Sequence, residues 1–287
     1  MLRIEILGVG VYCTGFGTNL GVALDGLVLH ERNQNFSWQQ PAPPYAFVSQ
    51  AQAQAYQEQG GFILEDAFNA DELAQVLATL DPVEEQVNQY LKQTQTTGPT
   101  ITRADEIVFT PHLVRDHPVA RKFAQHAVFQ GLCADLIGPG ARLYWDQLVY
   151  KRPETPVDFP WHQDNGYTFV EPQQYLTCWV ALTDATVENG CPWIAPGLHK
   201  QGTLKHRWSE LGFVCLPNDP QDATPMQLKA GSVAVFSSLT PHRTGPNLTE
   251  GIRKAYILQY APDGAVVYPR EGDPYVANDP ERQFLVV

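Results

Sequence analysis

The amino-acid sequence predicts a mainly β protein with helices: a double-stranded β-helix, or cupin-like jelly roll, with N-terminal helices packed on one sheet. Three observations predict this class. Helical periodicity lies mostly in the first half of the chain, and short β-like runs follow one another from residue 142 onward. The 22 Gly and 23 Pro among 287 residues indicate many turns rather than a helical bundle.

Residues 1–45 differ from the rest of the chain, because six Gly residues fall within the first 26 positions. Gly8-Val9-Gly10 and Gly15-Phe16-Gly17 resemble parts of a dinucleotide-binding fingerprint, but the full spacing and a following helix are both missing. We therefore predict a glycine-rich extension, either flexible or a β-hairpin, or a start codon placed too early. Residues 46–287 are predicted to form a single domain.

Two helices are expected at the start of this domain. Ser49 can cap the first, which Gly60-Gly61 should end. Asn69 can cap the second, with Glu72 at the capping-box position. The apolar run Phe62–Leu64 between them predicts a short strand.

The later elements follow from turn residues and composition. Val83–Gln93 is expected to continue the second helix, Asp116 before Pro118 to start another, and Gly138-Pro139-Gly140 to end it. The predicted strands share an enrichment in Val, Tyr, Trp, Phe and Thr. They are Arg142–Lys151, Tyr175–Leu182, Pro192–Ala195, Gly231–Ser237 and Arg253–Tyr260.

Composition excludes several classes of function. The 44% of hydrophobic residues is too high for a disordered chain, and the net charge of −12, without a basic run, disfavours nucleic acid as a partner. No apolar run of about 18 residues occurs, so we expect no membrane span, and the N-terminus lacks the pattern of a secretory leader. The odd number of cysteines, five, without CxxC spacing, disfavours a disulfide framework or structural zinc and favours a cytoplasmic location.

A possible metal site lies at His162-Gln163-Asp164. In an extended segment, side chains two residues apart point the same way, so His162 and Asp164 present an imidazole and a carboxylate together. His242, just after the predicted strand Gly231–Ser237, can supply a third ligand. Two His and one carboxylate on one face of a metal are typical of non-haem Fe(II) oxygenases. An isolated HxD also occurs by chance in many chains.

Arg253 strengthens this interpretation because a 2-oxo acid that chelates iron needs its far carboxylate held. A guanidinium does so with two parallel charge-assisted hydrogen bonds. Arg253 opens the last predicted strand and can point inward with Ile257 and Gln259. Taken alone, Arg253 would be assigned to a surface ion pair.

His162, Asp164, His242 and Arg253 together resemble the motif of the phytanoyl-CoA dioxygenase family of Fe(II)/2-oxoglutarate-dependent oxygenases. The resemblance extends over about residues 46–261. Three further segments support it, namely Cys178–Leu182, the turn Glu188–Cys191 and Pro196–His199.

The resemblance implies a role for each matching residue. His162, Asp164 and His242 would be the iron ligands, Arg253 and Thr244 would hold the distal carboxylate of 2-oxoglutarate, and Trp179 and Gln147 would form walls around this cosubstrate. Trp179 could equally be core and Gln147 a structural strand residue. With O2, the expected reaction is oxidative decarboxylation of 2-oxoglutarate to succinate and CO2, coupled to hydroxylation. Related halogenases carry a small residue where Asp164 stands, so this carboxylate favours oxygen transfer.

The substrate is expected to be a small organic molecule, apolar or aromatic in part. Aromatic residues near the HxD and on predicted strands are candidates for its pocket. They are Trp145, Tyr150, Tyr167, Phe169 and Trp193. The sequence lacks a cluster of Lys and Arg for the phosphates of a CoA thioester. The small basic cluster Lys205-His206-Arg207 is expected to be solvated, or alternatively to meet an anionic group of the substrate.

Two alternatives remain open from the sequence. A cupin-like metalloprotein could use the same ligands for zinc or nickel in non-redox chemistry, although such a site has no need of Arg253. A non-catalytic binding or sensing protein could keep the fold without turnover. The substrate's identity and the oligomeric state are not predicted.

Overall fold

The computed structural model describes residues 27–94 and 101–287, and its first helices begin at the predicted caps. Ser49 Oγ accepts from the backbone N–H of Gln52, and the side-chain Oε1 of Gln52 accepts from the backbone N–H of Ser49. Asn69 and Glu72 form the same reciprocal pair. The α-helices of the described residues are α1 (Gln50–Gln59), α2 (Ala70–Thr94), α3 (Leu113–Asp116), α4 (Pro118–Ala124), α5 (Ala127–Leu136) and α6 (Asp164–Tyr167), with a 3-10 helix at Leu198–Gln201.

The predicted helix start at Asp116 is wrong. Asp116 is the last residue of α3, and α4 begins at Pro118 with His117 in the cap position. Proline fits the first position of a helix because its missing N–H has no partner there in any case, so the cap is the residue directly before it. The Asp116 carboxylate instead accepts from the Arg115 guanidinium at 3.1 Å.

The predicted strands are confirmed to within two residues at each end, and further short strands that were not predicted lie between and after them. All strand pairs are antiparallel. The strands of the described residues are β1 (Gly61–Leu64), β2 (Ile107–Pro111), β3 (Ala141–Lys151), β4 (Phe159–His162), β5 (Phe169–Glu171), β6 (Leu176–Ala181), β7 (Pro192–Ile194), β8 (Arg207–Ser209), β9 (Gly212–Val214), β10 (Thr224–Pro225), β11 (Val233–Ser237), β12 (His242–Thr244), β13 (Arg253–Pro262), β14 (Val266–Tyr268) and β15 (Tyr275–Val276).

Two facing sheets form the predicted jelly roll. The large sheet has six strands in the order β1-β11-β6-β13-β3-β2, and the small sheet has four in the order β10-β7-β12-β4. Two lesser sheets, β15-β14-β5 and β8-β9, lie beside them. The space between the large and small sheets is the position of the site described below.

Alternation of side chains divides the large sheet between two environments. On β6, Cys178 and Val180 pack in the main core with residues of α1, α2, α4 and α5, whereas Thr177 and Trp179 face the other way. The same alternation on β3 sends Leu148 to the helices and Gln147 to the inner face. The N-terminal helices therefore cover the outer face of the large sheet, as predicted.

The described part of the N-terminal segment lies against the domain. Leu29 forms an antiparallel bridge with Leu204, and the Asn33 side chain donates to backbone carbonyls of the segment 201–203. Trp38 packs edge-on against His199 at 4.4 Å between ring centroids. The glycines from Gly8 to Gly26 lie outside the described residues. No helix in the described part of the chain is long and apolar enough to cross a bilayer.

Candidate metal centre

The three predicted ligands meet at the inner face of the small sheet. His162 ends β4 and His242 begins β12, and the two are direct cross-strand partners. Gln163 is extended, and Asp164 then opens α6, so its carboxylate lies on the same side as the His162 imidazole. One ligand atom from each residue lies within 4.8 Å of the others.

Hydrogen bonds orient each ligand toward a common point. His162 Nδ1 donates to Pro160 O at 2.8 Å and His242 Nδ1 donates to Thr240 O at 3.0 Å, because a carbonyl oxygen can only accept. Both Nε2 lone pairs are therefore left for a metal. Burial lowers the pKa of His162 well below its ordinary value, which keeps it in the neutral form that ligates. Thr177 Oγ1 donates to Asp164 Oδ2 at 2.5 Å. This donor set fits a divalent transition metal.

Gln163 lies between the candidate ligands His162 and Asp164, and both its backbone N–H and its side-chain amide are hydrogen-bonded. Its backbone N–H donates to His206 Nε2 at 2.8 Å. Its side chain donates to Gly202 O and Leu239 O and accepts from Leu204 N–H. The expectation that His206 is solvated, or meets substrate, is wrong: its ring is engaged by Gln163 N–H and Leu204 O.

Arg253 lies fully buried on the same cavity as the candidate ligands, with 0% of its surface exposed. None of its three guanidinium nitrogens has a hydrogen-bond acceptor among the described residues, and Thr244 Oγ1, on the neighbouring wall, also lacks a partner there. The Arg253 Cζ lies 5.2 Å from the Trp179 ring centroid. Burial lowers the pKa of Arg253 to about 10. A buried cation without an acceptor costs free energy unless an anion joins it, so these residues fit the carboxylate of a 2-oxo acid.

A cavity of about 360 Å³ joins the metal ligands to Arg253. Thr244, Trp179 and Gln147 line it, as do Trp145 and Tyr167 among the residues expected to meet substrate. Trp145 Nε1 donates to Gln147 Oε1 at 3.1 Å, which fixes both side chains on this wall. The volume is within the range of about 300–1,000 Å³ typical of small-molecule sites.

Three residues expected at the substrate pocket lie outside this cavity. Tyr150 faces the helices, where its hydroxyl donates to Asp81, because it stands five positions, an odd offset, from the inward Trp145 on the same strand. Trp193 pairs with the outward Arg243, while its neighbour Ile194 pairs with the inward His242. The ring of Phe169 stacks on His30 at 4.8 Å between centroids.

Other residues of the cavity were not predicted from the sequence. Thr177 could have been found, since it is two residues before Trp179 on a predicted strand and must share its face. Arg270 lies on the cavity wall but follows β14 in a loop, where no periodicity indicates direction. The apolar lining residues Trp208 and Phe213 come from β8 and β9 respectively, and neither strand was predicted.

Comparisons with known proteins agree with this architecture. A family model described as phytanoyl-CoA dioxygenase (PhyH) matches residues 56–255. The phytanoyl-CoA dioxygenase of Arabidopsis thaliana is 25% identical over 174 residues, covering 59% of this chain and 62% of that protein. The methylphosphonate hydroxylase of Gimesia maris is 30% identical over 155 residues, covering 53% and 57%. The match thus spans less than two thirds of either relative.

Among solved structures, an epimerase in complex with Fe3+, alpha ketoglutarate and nogalamycin RO has a similar fold. Its TM-score is 0.64 at 20% sequence identity, with 83% of this chain and 98% of that chain covered. At this identity the likeness concerns the fold.

Proposed function

Because the chain belongs to the phytanoyl-CoA dioxygenase family, we propose that it is an Fe(II)- and 2-oxoglutarate-dependent dioxygenase that hydroxylates a small organic molecule. The observation that carries the proposal is the buried Arg253 guanidinium without an acceptor among the described residues, on the same cavity as the His-Asp-His cluster. A metal site for non-redox chemistry would not need this cation.

Each residue has a defined task in this proposal. His162, Asp164 and His242 hold Fe(II) through two Nε2 atoms and one carboxylate oxygen. Arg253 and Thr244 bind the distal carboxylate of 2-oxoglutarate, since both have free donors on the cavity wall.

Trp179 and Gln147 bound the cosubstrate. The Trp179 ring lies against the Arg253 guanidinium and blocks water from one of its faces.

When bound, Fe(II) and 2-oxoglutarate supply the activation of O2 for substrate oxidation, with succinate and CO2 as co-products. The chain's own residues prepare this chemistry. The Nδ1 hydrogen bonds of His162 and His242 keep both rings in the ligating tautomer. Thr177 holds one oxygen of Asp164, so that the other can bind the metal.

The substrate is proposed to be a small molecule that is partly apolar or aromatic. Tyr167, Phe213, Trp208 and Phe159 form a wall that continues outward from His162. The names of the relatives point to different substrates, from methylphosphonate to hypophosphite, so the cavity is the better guide. Trp145 and Tyr167 are the predicted pocket residues that this proposal retains.

Anaerobic titration with Fe(II) and 2-oxoglutarate tests the proposal. Chelation of this type gives a weak charge-transfer band in the visible range. We expect the band in the wild-type protein and in the control Tyr150→Phe, whose side chain lies outside the cavity. We expect neither the band nor succinate formation in His162→Ala, which removes an imidazole ligand. A wild-type protein without the band, or a His162→Ala variant that still forms succinate, would overturn the proposal.

A further inference from the structure

A second arginine, Arg270, lies on the cavity wall. Arg270 and Arg253 are the two Lys or Arg side chains among the lining residues that the structure describes. The Arg270 guanidinium lies over the Phe213 ring, with Cζ 3.7 Å from the ring centroid. Its Nε and Nη2 reach Tyr167 O and Gly166 O at 3.4 Å each.

These contacts orient Arg270 without neutralising it. Carbonyl oxygens at 3.4 Å are weak acceptors, and no carboxylate of residues 27–94 or 101–287 lies within 4.0 Å of the guanidinium. Acidic residues outnumber basic ones by 31 to 19, so acidic partners are abundant in this chain. Arg243, by comparison, meets two of them, Asp158 and Asp219. The Nη1 donors of Arg270 remain open to a ligand.

Helix α6 and a row of aromatic rings connect Arg270 to the candidate metal centre. Its carbonyl partners belong to α6, the helix that Asp164 opens. The Tyr167 ring lies 5.3 Å from the His162 ring and 5.2 Å from the Phe213 ring, measured between centroids. A row of aromatic rings therefore runs from a metal ligand to the Arg270 guanidinium.

The charges of the proposed complex leave Arg270 available to bind a group of the substrate. In the proposed complex, the divalent metal and Arg253 together cancel the charges of Asp164 and the dicarboxylate cosubstrate. Arg270, which is exposed on the cavity wall, then adds a positive charge that neither Asp164 nor the cosubstrate balances, and the neighbouring exposed Glu271 forms no ion pair with it among the described residues. A guanidinium fixed by its backbone contacts presents a planar set of donors that suits an oxyanion.

We propose that the substrate carries an oxyanion, a carboxylate or a phosphonate, which Arg270 binds at the cavity wall. The apolar body of the substrate lies along Phe213 and Tyr167, and its far end reaches the metal centre. This inference rests on the proposed function for the identity of the reacting end, but the anion site itself depends only on Arg270 and its surroundings.

Matched probes test the inference in the protein loaded with Fe(II) and saturating 2-oxoglutarate without O2. Calorimetry compares 3-phenylpropanoate with 3-phenylpropanamide, and 2-phenylethylphosphonate with its dimethyl ester. We expect at least one charged probe to bind about tenfold or more tightly than its neutral partner, because a charge-assisted hydrogen bond is lost in the latter. The better of the two charged probes identifies a planar or a tetrahedral anion.

Two variants test whether Arg270 causes the preference for the charged probes. Arg270→Met should abolish the difference between charged and neutral probes, whereas Arg207→Met removes an exposed arginine that does not line the cavity and should preserve it. The inference is overturned if no charged probe is preferred by the wild type, or if the preference survives in Arg270→Met. The charge-transfer band, recorded in the same samples, reports separately on the cosubstrate site.

Discussion

Replacement of Arg253 by Met distinguishes an anion-binding arginine from a structural one. Burial lowers the pKa of Arg253 to about 10, so at neutral pH the charge is present in the folded and the unfolded chain alike. A pKa lowered by roughly 2.5 pH units, at about 1.36 kcal/mol for each, corresponds to about 3 kcal/mol of folding free energy. This cost is complete below pH 10 and disappears only as the pH rises toward the ordinary value of arginine.

Met occupies a similar space without the charge. We therefore expect the ligand-free Arg253→Met protein to be as stable as the wild type, or more stable by up to about 3 kcal/mol. Urea unfolding at neutral pH measures this directly. Arg243→Met is the matched control, because Arg243 bonds Asp158 at 2.6 Å and its loss should cost up to about 1 kcal/mol.

Arg253→Met should also lose its affinity for 2-oxoglutarate. Two charge-assisted hydrogen bonds contribute about 3 kcal/mol or more, so the dissociation constant of 2-oxoglutarate should rise at least about 100-fold. Stabilisation of the wild type by 2-oxoglutarate and Fe(II) should be absent in the variant. An Arg253→Met protein that is less stable by 2 kcal/mol or more, on the order of a broken buried contact, and still binds 2-oxoglutarate would refute the reasoning.

Three further perturbations have defined outcomes. Asp164→Ala should weaken Fe(II) binding, measured by calorimetry, by roughly 100-fold or more, and unchanged affinity would place the metal elsewhere. Gly166→Ala would bring a Cβ to 2.0 Å from His206 Cε1 and should lower the free energy of unfolding by about 2 kcal/mol, whereas Gly251→Ala, with nothing within 4 Å, should stay within about 0.5 kcal/mol. Equal losses in the two would contradict the packing argument. Burial lowers the pKa of Lys151 to about 7, so between pH 7 and 10 the unfolded chain binds a proton that the folded chain releases. The stability of the wild type relative to Lys151→Met should therefore increase as the pH rises across this range; identical slopes for the two proteins would exclude this assignment.

The residues of the candidate metal site could be inferred from the sequence because their chemistry is local or distinctive. The spacing of His162 and Asp164 fixes their relative direction, and Arg253 stands at the start of a clear strand. Tyr150 could have been excluded by the same alternation, since it cannot share a face with Trp145. Trp193 could not, because its direction follows from pairing with β12, and that register is absent from the sequence.

The remaining features depend on contacts between distant segments. His206 meets Gln163 across 43 positions of the chain, and Arg270 reaches the carbonyl of Gly166 across 104. A basic cluster in an acidic chain is usually solvated, which led to the wrong expectation for His206. Only the folded chain shows that the His206 ring accepts a hydrogen bond from the backbone N–H of Gln163, which lies between His162 and Asp164.

The two-sided nature of β3 has a consequence for protein engineering. Trp145 and Val149 face the cavity, while Leu148 and Tyr150 pack under the helices. Randomising the first pair should alter which molecules the cavity accepts while the main core stays intact. Randomising the second pair should select chiefly for variants that still fold. A single strand thus offers two nearly independent sets of positions for directed evolution, one for selectivity and one for robustness.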